Sequence, residues 1–305
     1  MALLPRTERT AARLCGVRSF AIAWLASVAI TLGACAHTPR AEPAARDASA
    51  CAWTSPPVPF YQSHDTLYQA WTIPAARADG SWAPADVPAL TAFRRAVADS
   101  LAHAGVASDP ESVTRRVTAY YGAKPDRDAQ TDADNGRQVL AGTAGTIRPL
   151  TCIEALVLDY QARRFSMTRQ PTEFHVFLLR RDGADATTPT SPLLVYFAAS
   201  SAPWPPSVGR LVAALEPKVR EGWRVIAHMH NHPFYLDHLR PDSAGRPTAD
   251  IAGGMAPSST DVQFYRAMRA DLGLASARVT NGFATLEMPA AAFDRLHARG
   301  EGASP

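Results

Sequence analysis

The sequence predicts an α/β sandwich from about residue 151 onward, preceded by a mainly helical extension. Three observations predict it. Apolar runs of strand length recur, Val176-Phe177-Leu178-Leu179, Leu193-Leu194-Val195-Tyr196-Phe197 and Trp223-Arg224-Val225-Ile226-Ala227. Patterns of helical period fall between and after them: Val208, Leu211, Val212, Leu215 and Val219, then Phe264, Met268 and Leu272. Two further helical patterns stand ahead of residue 151, each opened by Asp and Pro and stopped by Gly.

Residues 1–34 have the order of an export signal. Arg6, Arg9, Arg13 and Arg18 precede an apolar run from Phe20 to Leu32, short for a membrane span and ending in small residues. The run closes on Leu32-Gly33-Ala34-Cys35, which resembles the bacterial lipobox. That resemblance implies a lipidated Cys35 as first residue of the mature chain. With Ala36 after it, it also implies an outer-membrane anchor facing the periplasm. An ordinary cleaved signal or an uncleaved anchor is the plainer alternative.

The signal carries the charge. Of 31 basic and 28 acidic residues, residues 1–34 hold four Arg and one Glu, so the remainder balances at 27 to 27. No basic patch interleaved with aromatics appears, which argues against nucleic acid as a partner. Of four cysteines, Cys15 lies in the signal and Cys35 takes lipid. Cys51 and Cys152 are left as an even pair for a disulfide in an oxidising compartment. Two unrelated buried thiols is the alternative.

Residues 35–58, rich in Ala and Pro, read as a tether. In residues 59–150, a helix is expected from Pro88 through Leu90, Phe93, Val97 and Leu101. A second runs from Pro110 through Val113, Val117 and Tyr120. Residues 123–146 are polar and Gly- and Thr-rich and read as a long loop. The region reads as an extension packed on the main domain, with a substrate-recognition element as the alternative.

The main domain is expected over residues 151–300. Thr151-x-x-Glu154 is a capping box opening a helix to about Arg164. Strands near 173–180 and 193–197 flank a turn at Asp182-Gly183, and a helix follows that Pro217 should kink or divide. Gly222 ends it and a histidine-bearing strand begins. A hairpin around Asn281-Gly282 and a last helix from Pro289 through Phe293 and Leu296 complete the domain.

The chemistry concentrates in His228-Met229-His230-Asn231-His232-Pro233 and Pro257-Ser258-Ser259-Thr260-Asp261. Alternate residues of a strand share a face, so His230 and His232 point the same way and suit zinc. A helix opening at Ser258 aims the Asp261 carboxylate from its first turn. Two imidazoles and one carboxylate leave a fourth tetrahedral position, as in catalytic zinc sites. Ser258-x-x-Asp261 also has the form of a plain capping box. His228 shares the face and competes as a ligand, or serves as a supporting imidazole.

In that order, His230-Asn231-His232-Pro233 and Pro257-Ser258-x-x-Asp261 resemble the JAMM zinc-peptidase signature of the JAB/MPN domain family, closest in wording to its RadC-like prokaryotic branch. The resemblance covers about residues 150–290. It implies a mixed β-sheet flanked by helices. It also implies a zinc ion on His230, His232 and Asp261, Glu173 of Pro171-Thr172-Glu173-Phe174 as general base, and Ser258 as oxyanion donor. The implied substrate is a protein or peptide, cut at a peptide or isopeptide bond. Two departures are visible: 25 residues from Pro233 to Pro257 stand where the family has a short linker, and Val176 stands near the family's usual glycine. Rival readings are a cell-wall peptide amidohydrolase and a metal-free scaffold of the same fold.

Glu154 competes with Glu173 for the role of base, but Glu154 already has a capping task. Residues 234–256 form either a lid beside the site or a neutral surface insertion.

Overall fold

The computed structural model describes residues 51–63, 65–103, 105, 107–165, 167, 173–181, 192–201, 206–234 and 253–301. The signal, Cys35, the tether up to residue 50, the Asp182-Gly183 turn and residues 235–252 of the insertion lie outside them. Among the described residues, no helix is long and apolar enough to cross a membrane.

Among the described residues, eight strands form one mixed sheet flanked by helices. They are β1 (Val58–Gln62), β2 (Thr66–Pro74), β3 (Thr146–Arg148), β4 (Phe174–Arg181), β5 (Pro192–Ser200), β6 (Trp223–Asn231), β7 (Ser276–Thr280) and β8 (Thr285–Pro289). The spatial order is β1-β2-β5-β4-β6-β7-β8-β3. Every pair is antiparallel except β6 with β7. The helices are α1 (Ala75–Ala78), α2 (Pro88–His103), α3 (Pro110–Gly122), α4 (Arg127–Leu140), α5 (Cys152–Arg164), α6 (Val208–Arg220) and α7 (Ser259–Leu272).

Burial on both faces explains the unbroken apolar runs of the central strands. On β4, Phe174, Val176 and Leu178 enter a core shared with α2 and α5, while Phe177 and Leu179 enter a second core with α6 and α7. Helix α5 lies between the sheet and the N-terminal helices. Every residue from Cys152 to Gln161 is buried, so a one-sided apolar stripe is not needed. Its Asp159 accepts hydrogen bonds from the N–H groups of Ala89 (2.7 Å) and Leu90 (3.0 Å), and so caps α2 from another element. At its start, Cys152 is disulfide-bonded to Cys51, with Cα atoms 5.6 Å apart.

The extension is mainly helical, and it also supplies both edges of the sheet. At one edge β1 carries Pro59, which cannot donate to a further strand; at the other, β3 is three residues long. The expected loop over 123–146 is instead mostly helix α4. Asp126 caps it, accepting from Ala129 N at 3.0 Å. Its buried face is built from Ala129, Ala133, Gly136 and Val139. A Cβ at Gly136 would stand 2.1 Å from Thr118 Oγ1, so the missing side chain is what lets α3 and α4 meet.

Two smaller expectations are also corrected. Pro217 does not divide α6, which runs unbroken to Arg220. The expected last helix is a 3-10 turn over Ala290–Arg295. Arginines of α7 take its carbonyls: Arg266 donates to Phe293 O (3.2 Å) and Leu296 O (2.7 Å), and Arg269 to Ala290 O (3.0 Å).

Candidate metal centre

Strand β6 delivers the histidines. It runs through Asn231, so His228 and His230 lie within the ladder and His232 lies just past its end. His232 keeps the direction of the strand because its N–H donates to Thr280 O at 2.8 Å. Asn231 ties the opposite neighbour in place, its Oδ1 accepting from Phe174 N at 2.8 Å. The alternation puts His228 and His230 on the face covered by α7, against Phe264 and Tyr265.

Helix α7 delivers the carboxylate. Ser258 is its N-cap, with Asp261 three residues on, and the capping box is complete in both directions. Ser258 Oγ accepts from Asp261 N at 3.2 Å. Ser258 N and Oγ donate to Asp261 Oδ2 at 2.9 and 2.8 Å. The capping role and the ligand role coexist, because the cap holds the carboxylate where the imidazoles can reach it.

His230, His232 and Asp261 form a group able to hold a metal ion; one donor atom of each lies within 4.8 Å of the others. His230 Nε2 and His232 Nε2 are 2.9 Å apart. Asp261 Oδ1 is 3.5 Å from His230 Nε2, and Oδ2 is 3.6 Å from His232 Nε2. Ligands of a tetrahedral ion at ~2.0–2.1 Å sit about 3.4 Å from one another, so the spacing fits. The tautomers fit as well. His232 Nδ1 meets the carbonyl of Gly254 at 2.7 Å, and a carbonyl only accepts. The ring hydrogen is therefore on Nδ1, and Nε2 presents its lone pair to the group. His230 Nδ1 meets Tyr265 Oη at 3.2 Å, a partner that fixes the ring.

The electrostatics agree with this arrangement. Burial alone would raise the Asp261 carboxyl, but the adjacent His230 and His232 pull it well below the usual carboxylate range. His228 stays out of the group. Its Nε2 faces His175 Nδ1 at 3.2 Å, and its Nδ1 has no hydrogen-bond partner among the described residues. Burial lowers His175 to about 3, with His230 adding to the shift and Asp261 opposing it. Burial also lowers His228 well below its ordinary value, and His175 and His230 push the same way. Both rings are neutral supports.

Glu173 is half-buried and immediately precedes β4. In the β4–β6 register His175 is paired with His230. Continued antiparallel past the ladder, two residues back from β4 and two on from β6, that register would set Glu173 opposite His232. Glu154 is elsewhere. It is fully buried at the start of α5, between Arg148 Nη2 (2.7 Å) and Arg278 Nη1 (3.3 Å), and accepts from Thr285 Oγ1 (3.1 Å) and Thr151 N (2.8 Å). Of the residues singled out by sequence, His230, His232, Asp261 and Ser258 come together. Cys51 and Cys152 meet at the start of α5, and Cys35 is outside the described residues.

Sequence reasoning missed His175 and Tyr265, though both had a signal. His175 is two residues from Glu173 on a strand, and Tyr265 is four from Asp261 on a helix. Fold and site together define an α/β protein with a two-histidine, one-carboxylate candidate metal centre. No family model, no curated protein and no solved structure matches the chain.

Proposed function

We propose that the chain is a zinc metallopeptidase of the JAB/MPN, JAMM type, hydrolysing peptide or isopeptide bonds in the bacterial cell envelope. The observation that carries the reading is the convergence of His230, His232 and Asp261 from β6 and α7, with donor spacings of 2.9–3.6 Å. Two imidazoles and a carboxylate are a donor set of hydrolytic zinc sites, which keep one position open. Zinc held there supplies Lewis acidity toward the scissile carbonyl and an activated water.

The chain's own groups do the rest. Glu173, which the continued register would set opposite His232, takes the proton of the attacking water and passes it to the leaving amine nitrogen. Gly254 and Tyr265 fix the two imidazoles through their Nδ1 atoms. The Ser258 hydroxyl, which donates to Asp261 in this structure, would donate to the developing oxyanion. Lipid on Cys35 would hold the enzyme at the membrane. The substrate is a protein or peptide, and nucleic acid has no part.

The test is incubation of the zinc-loaded, full-length chain with unfolded protein substrates and with muropeptides, following new amines with and without chelator. Chelator-sensitive cleavage of protein substrates is expected. Cleavage of muropeptides alone moves the assignment to a cell-wall amidohydrolase. No cleavage of either by a chain that holds one zinc contradicts the enzymatic reading and leaves a scaffold.

A further inference from the structure

The N-terminal extension bonds to the peptide group that orients His232. The segment Gly253-Gly254-Met255 packs against α3, which belongs to the extension. The Gly254 carbonyl accepts from His232 Nδ1 at 2.7 Å. The N–H of the same peptide unit, that of Met255, donates to Thr114 Oγ1 on α3 at 3.0 Å. A trans peptide is planar and rigid, so fixing its N–H fixes its C=O. Thr114 is itself oriented, because its hydroxyl hydrogen goes to Pro110 O at 2.7 Å. Its lone pairs are left for Met255.

The hydrogen bonds run in one direction, from His232 Nδ1–H to Gly254 C=O, from Met255 N–H to Thr114 Oγ1, and from Thr114 O–H to Pro110 C=O. Links aligned this way polarise one another and make the Gly254 carbonyl a better acceptor. A better acceptor on Nδ1 makes Nε2 a better metal ligand. The approach is also close. A Cβ on Gly254 would lie 3.1–3.3 Å from the Val117 side chain, so glycine is what lets α3 press on this peptide. From the other side Asn281 Nδ2 donates to Gly253 O at 2.9 Å, so the segment is held at two points. Thr114 and Met255 are both buried.

We infer that Thr114 is a positioning residue for the His230–His232–Asp261 centre, acting by pinning the Gly254–Met255 peptide that orients His232. The inference rests on the metal reading of that centre. It gives the extension a task, holding one ligand's tautomer and direction through Met255, which lies 141 residues from Thr114 in sequence.

The test uses the full-length chain with Thr114→Val, which keeps the shape and removes the hydroxyl, and Thr114→Ser, which keeps the hydroxyl. Zinc affinity is read by competition with a chelator, coordination geometry by the visible bands of cobalt(II), and folding by circular dichroism and melting of the metal-free protein. Thr114→Val is expected to weaken zinc about tenfold and alter the cobalt bands, with Thr114→Ser within about twofold of wild type. Equal affinity in wild type and Thr114→Val overturns the inference. So does a loss shared equally by both variants and matched by lower metal-free melting, since that reports packing. A wild type that takes up neither zinc nor cobalt removes the metal reading and Thr114's role together. One measurement needs no variant. Long-range ¹⁵N correlation on metal-free wild type is expected to show His232 with its hydrogen on Nδ1; a hydrogen on Nε2 overturns the inference.

Discussion

Ser258 gives both of its hydrogens to one oxygen of Asp261, Oδ2, through the backbone N–H at 2.9 Å and the hydroxyl at 2.8 Å, and Oδ1 faces His230. The cap thus sorts the two carboxylate oxygens. Ser258→Ala is expected to cost about 1 kcal/mol of stability, as loss of a serine N-cap does. It should also weaken metal binding by about tenfold, because Asp261 loses an orienting partner. Chelator competition and urea unfolding of the metal-free protein separate the two effects. Unchanged metal affinity would show that the cap does not orient the ligand.

The two glutamates ahead of the histidines part company. Glu173→Gln keeps the shape and removes the base, so hydrolysis should fall ~10²–10⁴-fold with zinc still bound. Glu154→Gln should leave turnover nearly intact but lower stability. Glu154 faces Arg148 and Arg278 in the interior, and removing one side of a buried pair can cost about 3 kcal/mol. Paired kinetics and melting on both variants check this. A fully active Glu173→Gln would end the assignment.

The disulfide ties the start of the described chain to α5 across 101 residues. Replacing Cys51 and Cys152 with Ala should lower unfolding stability by about 2–5 kcal/mol, as loss of a long-loop disulfide does. Alkylation of the exported protein should label neither cysteine before reduction; labelling of both contradicts the bond.

Where the sequence was legible, one residue type carried one role. His230 and His232 declare themselves through strand alternation, and Asp261 through the first turn of a capped helix. Strands β4 to β6 show as apolar runs because both sheet faces are covered. Helix α4 does not show, because its buried face is Ala129, Ala133 and Gly136, the composition of a loop. Strand β2 does not show in the sequence, because Gln69, which is buried, breaks its apolar pattern. Thr114 could not be found, since its task exists only where α3 meets Met255, and no periodicity encodes that contact.

Acid should weaken the metal-free fold through the supporting histidines. His175 and His228 have folded pKa values below 6.5 because of burial, His175 at about 3. The unfolded chain therefore binds more protons once pH drops below about 6.5, and stability present above that pH is lost toward pH 3. The slope should approach about 1.4 kcal/mol per pH unit for each ring. Urea unfolding with chelator present, from pH 7.5 to 5, tests it. A flat profile would mean that the rings are not held neutral.

The most direct test of the account is elemental analysis of the full-length chain after zinc loading and dialysis. The account predicts about one zinc per chain, lost on Asp261→Ala and on His232→Ala while the fold persists by circular dichroism. A folded wild-type chain with no stoichiometric zinc, or an Asp261→Ala chain that retains it in full, would contradict the central claim.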